Sequence, residues 1–245
     1  RNAMIDFTSD SRLFGGQRLI GLGAYAQTTG CHDFNIDSCN FYEGNITMLR
    51  AKMGDSAYLE KSNSYVRNCF FERSSLVNGN TPTITMPVSC GVNIVNNSIH
   101  NVFFHAINFD GSYNKIQYNE IYNATRDPRD AGVIYSWRDF AERGNDISYN
   151  IIHDTDNKLQ TGGTCGLYSD GEMSGNTFHH NMLWHNGNAI HHNAGVTNDV
   201  SYNIMMKQTK GMNFTYLNYV YSADLRAEKI PLLVDIDPSG SVMNS

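Results

Sequence analysis

Asn114-Lys-Ile-Gln-Tyr-Asn119-Glu-Ile121 is followed 31 residues later by Asn145-Asp-Ile-Ser-Tyr-Asn150-Ile-Ile152. The pattern is an Asn, a second Asn five places on, and an apolar residue two places after that. It recurs toward the C terminus as Asn176-Thr-Phe-His-His-Asn181-Met-Leu183 and Asn198-Asp-Val-Ser-Tyr-Asn203-Ile-Met205. Toward the N terminus it reads Val92-Asn-Ile-Val-Asn-Asn97-Ser-Ile99, with the first Asn displaced, then Asn63-Ser-Tyr-Val-Arg-Asn68-Cys-Phe70 and Asn35-Ile-Asp-Ser-Cys-Asn40-Phe-Tyr42. The second Asn returns at a mean interval of about 27 residues, the range that marks solenoids.

The alternation within each unit predicts two short strands around a bend. Ile116, Ile147, Phe178 and Val200 stand three places before the second Asn, and Ile121, Ile152, Leu183 and Met205 two places after it. Each strand then points one residue inward and its neighbours outward. The Asn is expected at the bend, where the left-handed region is tolerated and its side chain serves free backbone groups. Stacked coils would turn these residues into a hydrogen-bonded ladder. A third strand follows, at Ala106-Ile107, Val133-Ile134, Gly166-Leu167 and Ala189-Ile190. The expected fold is all-β, a single-stranded parallel β-helix solenoid of about seven to nine coils. It forms one domain over residues 1–245, with clear repeats over 33–206 and irregular coils or a cap over 207–245, and is expected to be a segment of a longer protein.

Composition agrees. Asn occurs 29 times, against 13 each for Leu and Ala, and Asn is a poor helix former at home in turns. This excludes a helical bundle and a doubly wound α/β fold. The net charge of −6 argues against nucleic acid as a partner. No apolar run is long enough to span a membrane, and Arg1-Asn2-Ala3-Met4 opens no secretory signal. Five Cys with no CxxC pair read as small packed residues, with a Cys31–Cys39 bridge left open. Sequons at Asn45, Asn123 and Asn213 arise by chance in so Asn-rich a chain.

Chemistry is expected where the repeat is interrupted. Asp127 to Gly175 concentrates acids, Arg, Trp and Tyr around insertions, which in solenoids map to one face. Aligning Ile107, Ile134, Leu167 and Ile190 places Asp110, Trp137, Asp170 and Asn193 in one column. Asn108, Tyr135, Tyr168 and His191 form another. Asp110 and Asp170 fall two coils apart, and Asp130 precedes its strand one coil from Asp170. Glycosidases use two carboxyls, about 5–5.5 Å apart if retaining and about 6.5–9.5 Å if inverting, and both spacings are reachable here. Any single Asp is also a natural turn former, and Arg138-Asp139 reads equally as an internal ion pair. His179-His180 and His191-His192 invite a metal reading, but neighbours on a strand point to opposite faces. No metal and no cofactor is expected.

At these residues the chain resembles the right-handed, pectate-lyase-like parallel β-helix proteins of carbohydrate metabolism. It is most similar to the bacterial glycoside hydrolases that include α-L-fucosidase and xylanase activities. The resemblance covers roughly residues 90–206. It rests on Asp130-Ala-Gly132-Val-Ile134-Tyr135-Ser-Trp-Arg138-Asp139-Phe140, on Arg143-Gly144-Asn145-Asp-Ile147-Ser-Tyr149-Asn150 and on Tyr168-Ser-Asp170-Gly171-Glu-Met-Ser174-Gly175. Gly171 replaces the second Asp of an Asp-Asp pair. The resemblance implies a right-handed coil and acids at Asp130 and Asp170. The reading that follows is a glycoside hydrolase acting on a poly- or oligosaccharide, with Asp130 and Asp170 catalytic. Tyr135, Trp137, Arg138, Asp139, Asp110 and His192 would bind sugar, in a secreted, periplasmic or cell-surface protein. The alternatives are a polysaccharide lyase or epimerase, and a non-catalytic adhesin or tailspike segment.

Overall fold

The computed structural model describes residues 20–22, 32–44, 46–76, 79–126, 130–136, 139, 141–155 and 164–215. Every strand in the three sheets runs parallel to its neighbours. One sheet has eight strands, from Ile20–Leu22 through Leu49–Ala51, Ile84–Cys90, Ile107–Ser112, Ala131–Ser136, Thr164–Ser169 and Asn188–Asn193 to Lys210–Thr215. The other two have seven three-residue strands each, flanking the Asn bend as the sequence predicts. Consecutive members of a sheet lie one full coil apart in sequence, which is the topology of a β-helix.

The core is the inside of the coil. Ile94, Ile116, Ile147 and Phe178 stack through direct register in one sheet. Ile99, Ile121, Ile152 and Leu183 do so in the next, and all eight are buried. The eight-stranded sheet departs from simple alternation. Ala106 with Ile107, Val133 with Ile134, and Ala189 with Ile190 are adjacent pairs that both face the main core. The strand changes phase there, and the next residue turns outward.

The Asn ladder exists, with two corrections. The left-handed residue at the bend is the one before the Asn: Asn96, Tyr118, Tyr149, His180 and Tyr202 have φ between 53° and 57°. The Asn that follows turns inward. The ladder also begins at Asn97, because Asn68 itself occupies the left-handed position (φ 54°) and Asn40 opens a strand. Cys69 takes the ladder position in its coil: its N–H donates to Asn97 Oδ1 at 2.9 Å and its thiol to the Arg67 carbonyl at 3.0 Å. Sulfur thus replaces the amide in the early coils. Cys39, Cys69, Cys90 and Cys165 are free thiols, and Cys31 lies outside the described residues.

Within the ladder each amide is fully used. Asn150 Oδ1 accepts from both the backbone N–H and the Nδ2 of Asn119, at 3.0 and 2.9 Å. Asn150 Nδ2 donates forward to Asn181 Oδ1 at 3.0 Å and back to the Ile116 carbonyl at 2.8 Å. A second ladder through Asn114, Asn145 and Asn176 repeats this at the opposite end of the same short strands. Buried backbone groups at these corners are thereby satisfied, as they must be.

Candidate functional site

The outward face of the eight-stranded sheet carries the polar and aromatic residues singled out by the sequence. Register aligns Asn108, Tyr135, Tyr168 and His191 across four strands. Phe109, Ser136, Ser169 and His192 align in the next column, on the inner side. Asp110 and Asp170 each stand one residue past the inner column, two coils apart.

The two carboxylates border the same pair of tyrosines. Asp130 precedes strand Ala131–Ser136, and its charge acts on the hydroxyl of Tyr168 on the next strand. Asp170 follows strand Thr164–Ser169, yet it accepts from the hydroxyl of Tyr135 on the strand before, at 2.8 Å. Asn193, one coil further, donates to the other oxygen of Asp170 at 2.7 Å. Both acids act on Tyr168 and His191, so both border one patch. Burial pushes the Tyr168 hydroxyl pKa up, and the charges of Asp170 and Asp130 push it the same way. Asp130 is exposed, whereas Asp170 is 2% exposed.

The rings form a continuous column. His105 stacks on Tyr135 at 4.3 Å, Tyr135 meets Tyr168 edge-on at 5.3 Å, and Tyr168 stacks on His191 at 4.6 Å. Cys165 is buried with the two tyrosines in a small cluster apart from the main core, and burial raises its thiol to about 12. His105 Nδ1 lies 2.7 Å from the Gly132 carbonyl. A carbonyl only accepts, so Nδ1 carries the proton. Burial lowers the His105 pKa to about 4 and keeps the ring neutral. A side chain at Gly132 would run into Tyr168 Cβ at 2.5 Å, so this glycine is what lets the tyrosine lie flat against the sheet.

The remaining predicted site residues divide. Tyr135 is 5% exposed with its hydroxyl spent on Asp170, so it positions the acid and offers a sugar no free face. Asp110 lies half-buried on the outer face. Asp139 caps a turn, its carboxylate accepting from the Ala141 N–H at 3.0 Å. Trp137 and Arg138 lie outside the described residues, so the Arg138–Asp139 pair does too. His192 is a correction: it is 4% exposed and points into the core, edge-on to Phe178 and stacked on Phe214. The phase change at Ala189-Ile190 causes this, turning His191 outward and His192 inward. Burial lowers His192 to about 4. Burial also lowers His191, while Asp170 and Asp130 pull it back up.

Tyr168, His191, His105 and Asn193 thus join the site beyond the residues first chosen. Tyr168, His191 and Asn193 were visible in the aligned columns, and His105 precedes the inward pair in its coil. The His179-His180 pair also differs from expectation. His180 sits at the left-handed corner, and the two Nδ1 atoms meet at 2.7 Å. Among the described residues no group of three or more His, Cys, Asp or Glu is placed to hold a metal ion.

Comparison with known proteins gives the following. Residues 24–215 match the family described as the right handed beta helix region. No curated protein matches the sequence. A solved glycoside hydrolase superposes with a TM-score of 0.52 at 14% identity, over 80% of this chain and 34% of its own. Two structures of PfbA, a surface adhesin of Streptococcus pneumoniae, give TM-scores of 0.43 and 0.44 at 14% and 11% identity. They cover 76% and 73% of this chain and 64% of their own. The chain spans about a third of the length of the glycoside hydrolase it matches. At such identities the likeness is one of fold.

Proposed function

We propose that this chain, which belongs to the right-handed β-helix family, is a glycoside hydrolase acting on a poly- or oligosaccharide through Asp130 and Asp170. The Tyr135–Asp170 hydrogen bond carries the reading, with Asp130 preceding the Tyr135 strand and Asp170 following the next, so that both acids act on Tyr168 and His191. Glycoside hydrolysis needs such a pair, one carboxyl to protonate the leaving oxygen and one to act as base or nucleophile. Asp130 faces solvent, and Asp170 is fixed in orientation by Tyr135 and Asn193. Asn108, Asp110, His191 and Asn193 line the face with groups that bond hydroxyls. Trp137 and Arg138, outside the described residues, belong to the proposal as sugar binders, the indole by stacking on a ring. The reading carries with it a secreted, periplasmic or cell-surface location, where polysaccharides are met.

The test is release of reducing sugar from a glycan panel. Asp130→Asn and Asp170→Asn should each lower the rate by about a thousandfold, within the usual range for loss of an acid–base group, with the fold retained. Near-wild-type rates in both variants overturn the proposal. Appearance of unsaturated-uronate absorbance would assign the site to a lyase instead. A second reading, a non-catalytic binding scaffold, draws on one observation: Asp170 is buried and accepts from both Tyr135 and Asn193, as a structural carboxylate would. Glycan binding without any turnover would select it.

A further inference from the structure

Two cysteines stand at the same corner of adjacent coils. Strand Asn35–Asp37 lies in direct register with Tyr65–Arg67, and strand Asn40–Tyr42 with Phe70–Glu72. Cys39 and Cys69 occupy the bend between these paired strands, so one is stacked on the other. The two coils superpose closely on both flanks of the bend. Phe41 and Phe71 stack at 4.5 Å with an interplanar angle of 1°. Arg67 clamps Asp37 across the same coils at 2.7 and 2.8 Å, and the Cys39 carbonyl accepts from the Phe70 N–H at 2.9 Å. Coils spaced at about 4.8 Å put the two Cα atoms inside the range of about 4.4–6.8 Å that a disulfide spans. The Cys69 sulfur also reaches back as a ladder amide does. It lies 3.9 Å from the Ile36 carbonyl, where Asn97 Nδ2 meets the equivalent Val66 carbonyl at 3.0 Å, and it is within hydrogen-bond reach of the Cys39 backbone. Side chains in consecutive places of this row meet, as Asn97 Nδ2 and Asn119 Oδ1 do at 3.0 Å. Cys39 and Cys69 hold two consecutive places.

We propose that Cys39 and Cys69 are a modification site, which a small oxidised thiol such as glutathione disulfide closes to a disulfide that staples the two coils. Cys39 is half-buried and meets the reagent, whereas Cys69 is 2% exposed and burial pushes its thiol up to about 11. The Cys39 thiolate attacks one sulfur of the reagent, breaking its S–S bond and releasing one glutathione. Cys69, as thiolate, then attacks the Cys39 sulfur of the mixed disulfide and releases the second. The two protons leave on the two glutathiones, so two thiols are oxidised and one disulfide is reduced. The bond removes only weak S–H donors, and the Arg67 carbonyl keeps the Ser38 N–H at 3.1 Å. The staple calls for an oxidising compartment and does not depend on the glycan reading.

The experiment incubates the full chain in native buffer with glutathione disulfide, alkylates it, digests it with Asp-N and trypsin, and maps the peptides by mass spectrometry without reduction. Asp-N cuts before Asp37 and so parts Cys39 from Cys31. The expected product joins residues 37–50 to residues 68–73. The oxidised chain should melt about 5 °C above the reduced one. Cys39→Ser and Cys69→Ser should each lose the product and the shift. Should either variant fail to fold, the product and shift of the wild-type chain alone decide. Cys39 recovered as a free thiol, as a lasting mixed disulfide with glutathione, or joined to Cys31 overturns the inference. So does a product that forms only in urea, or one that leaves the melting midpoint where it was.

Discussion

The buried Asn ladder and the outward Asp patch solve the same problem in opposite ways. A β-helix places equivalent residues of successive coils next to one another. An amide tolerates identical neighbours, because it both donates and accepts. Asn119, Asn150 and Asn181 therefore satisfy one another in a row. An ionised carboxylate only accepts, so a row of Asp would repel and leave its lone pairs unserved. On the sheet face Asp110 and Asp170 sit two coils apart, and Tyr135 and Asn193 supply donors to Asp170. Repetition builds the scaffold, and its interruption is what allows acids to gather.

Swapping the two chemistries tests this contrast. Asn150→Asp should be the most damaging change. It removes both Nδ2 donors and points an acceptor at Asn181 Oδ1 and the Ile116 carbonyl. Leaving such buried groups unserved should cost about 3 kcal/mol, read as a fall in the urea midpoint. Asp170→Asn should unfold near the wild-type midpoint, since an amide still accepts from Tyr135. A larger loss at Asp170 than at Asn150 would break the comparison.

Acid should weaken the fold through its buried histidines. His105 and His192 have pKa values near 4 in the native state, lowered by burial, against about 6.5 when unfolded. Between these values the unfolded chain binds protons that the native chain refuses, so stability falls as pH drops from about 6.5 to 4. Above that window neither group contributes a slope. The loss should reach about 3 kcal/mol per histidine. His192→Phe, placed between Phe178 and Phe214, should flatten the pH dependence of the urea midpoint by roughly half. An unchanged slope would show that His192 is not buried neutral.

Tyr135→Phe probes the outer patch more gently. Loss of one hydrogen bond to a buried carboxylate should cost about 1.5 kcal/mol. Turnover should fall about tenfold through kcat, with KM unchanged, because Tyr135 positions Asp170 and does not touch sugar. A rise in KM alone would place Tyr135 in direct contact with the glycan. Tyr149→Asn should change stability least. Tyr149 holds φ 57° at the corner where other coils use Asn68 and Asn96. Asn removes a left-handed strain of about 1 kcal/mol and loses the stack on Tyr118 at 4.9 Å, worth a similar amount. The midpoint should stay within the equivalent of about 0.5 kcal/mol.

The repeat was legible because its spacing is written in residue type. Asn119, Asn150, Asn181 and Asn203 announce the coil, and Ile116 and Ile121 announce the inward face. The errors came where position within a coil shifts by one residue. Asn40 and Asn68 look like ladder members, yet Cys39 and Cys69 precede and follow in their places. His192 looked like a groove residue until the inward pairs Ala106-Ile107, Val133-Ile134 and Ala189-Ile190 showed the strand changing phase. Such a change leaves no mark in hydrophobic alternation, because both residues of the pair are apolar.

By itself the sequence determined the all-β class, the number of residues per coil and the columns that hold Tyr135, Tyr168, Asp110 and Asp170. Those follow from side-chain period and from the turn chemistry of Asn, which are local properties. Only the tertiary structure decided that Asp170 reaches Tyr135 and Asn193 and that His191 and not His192 faces the patch. Each depends on which residues of different coils become neighbours, and coil stacking is set by register across some thirty residues of chain.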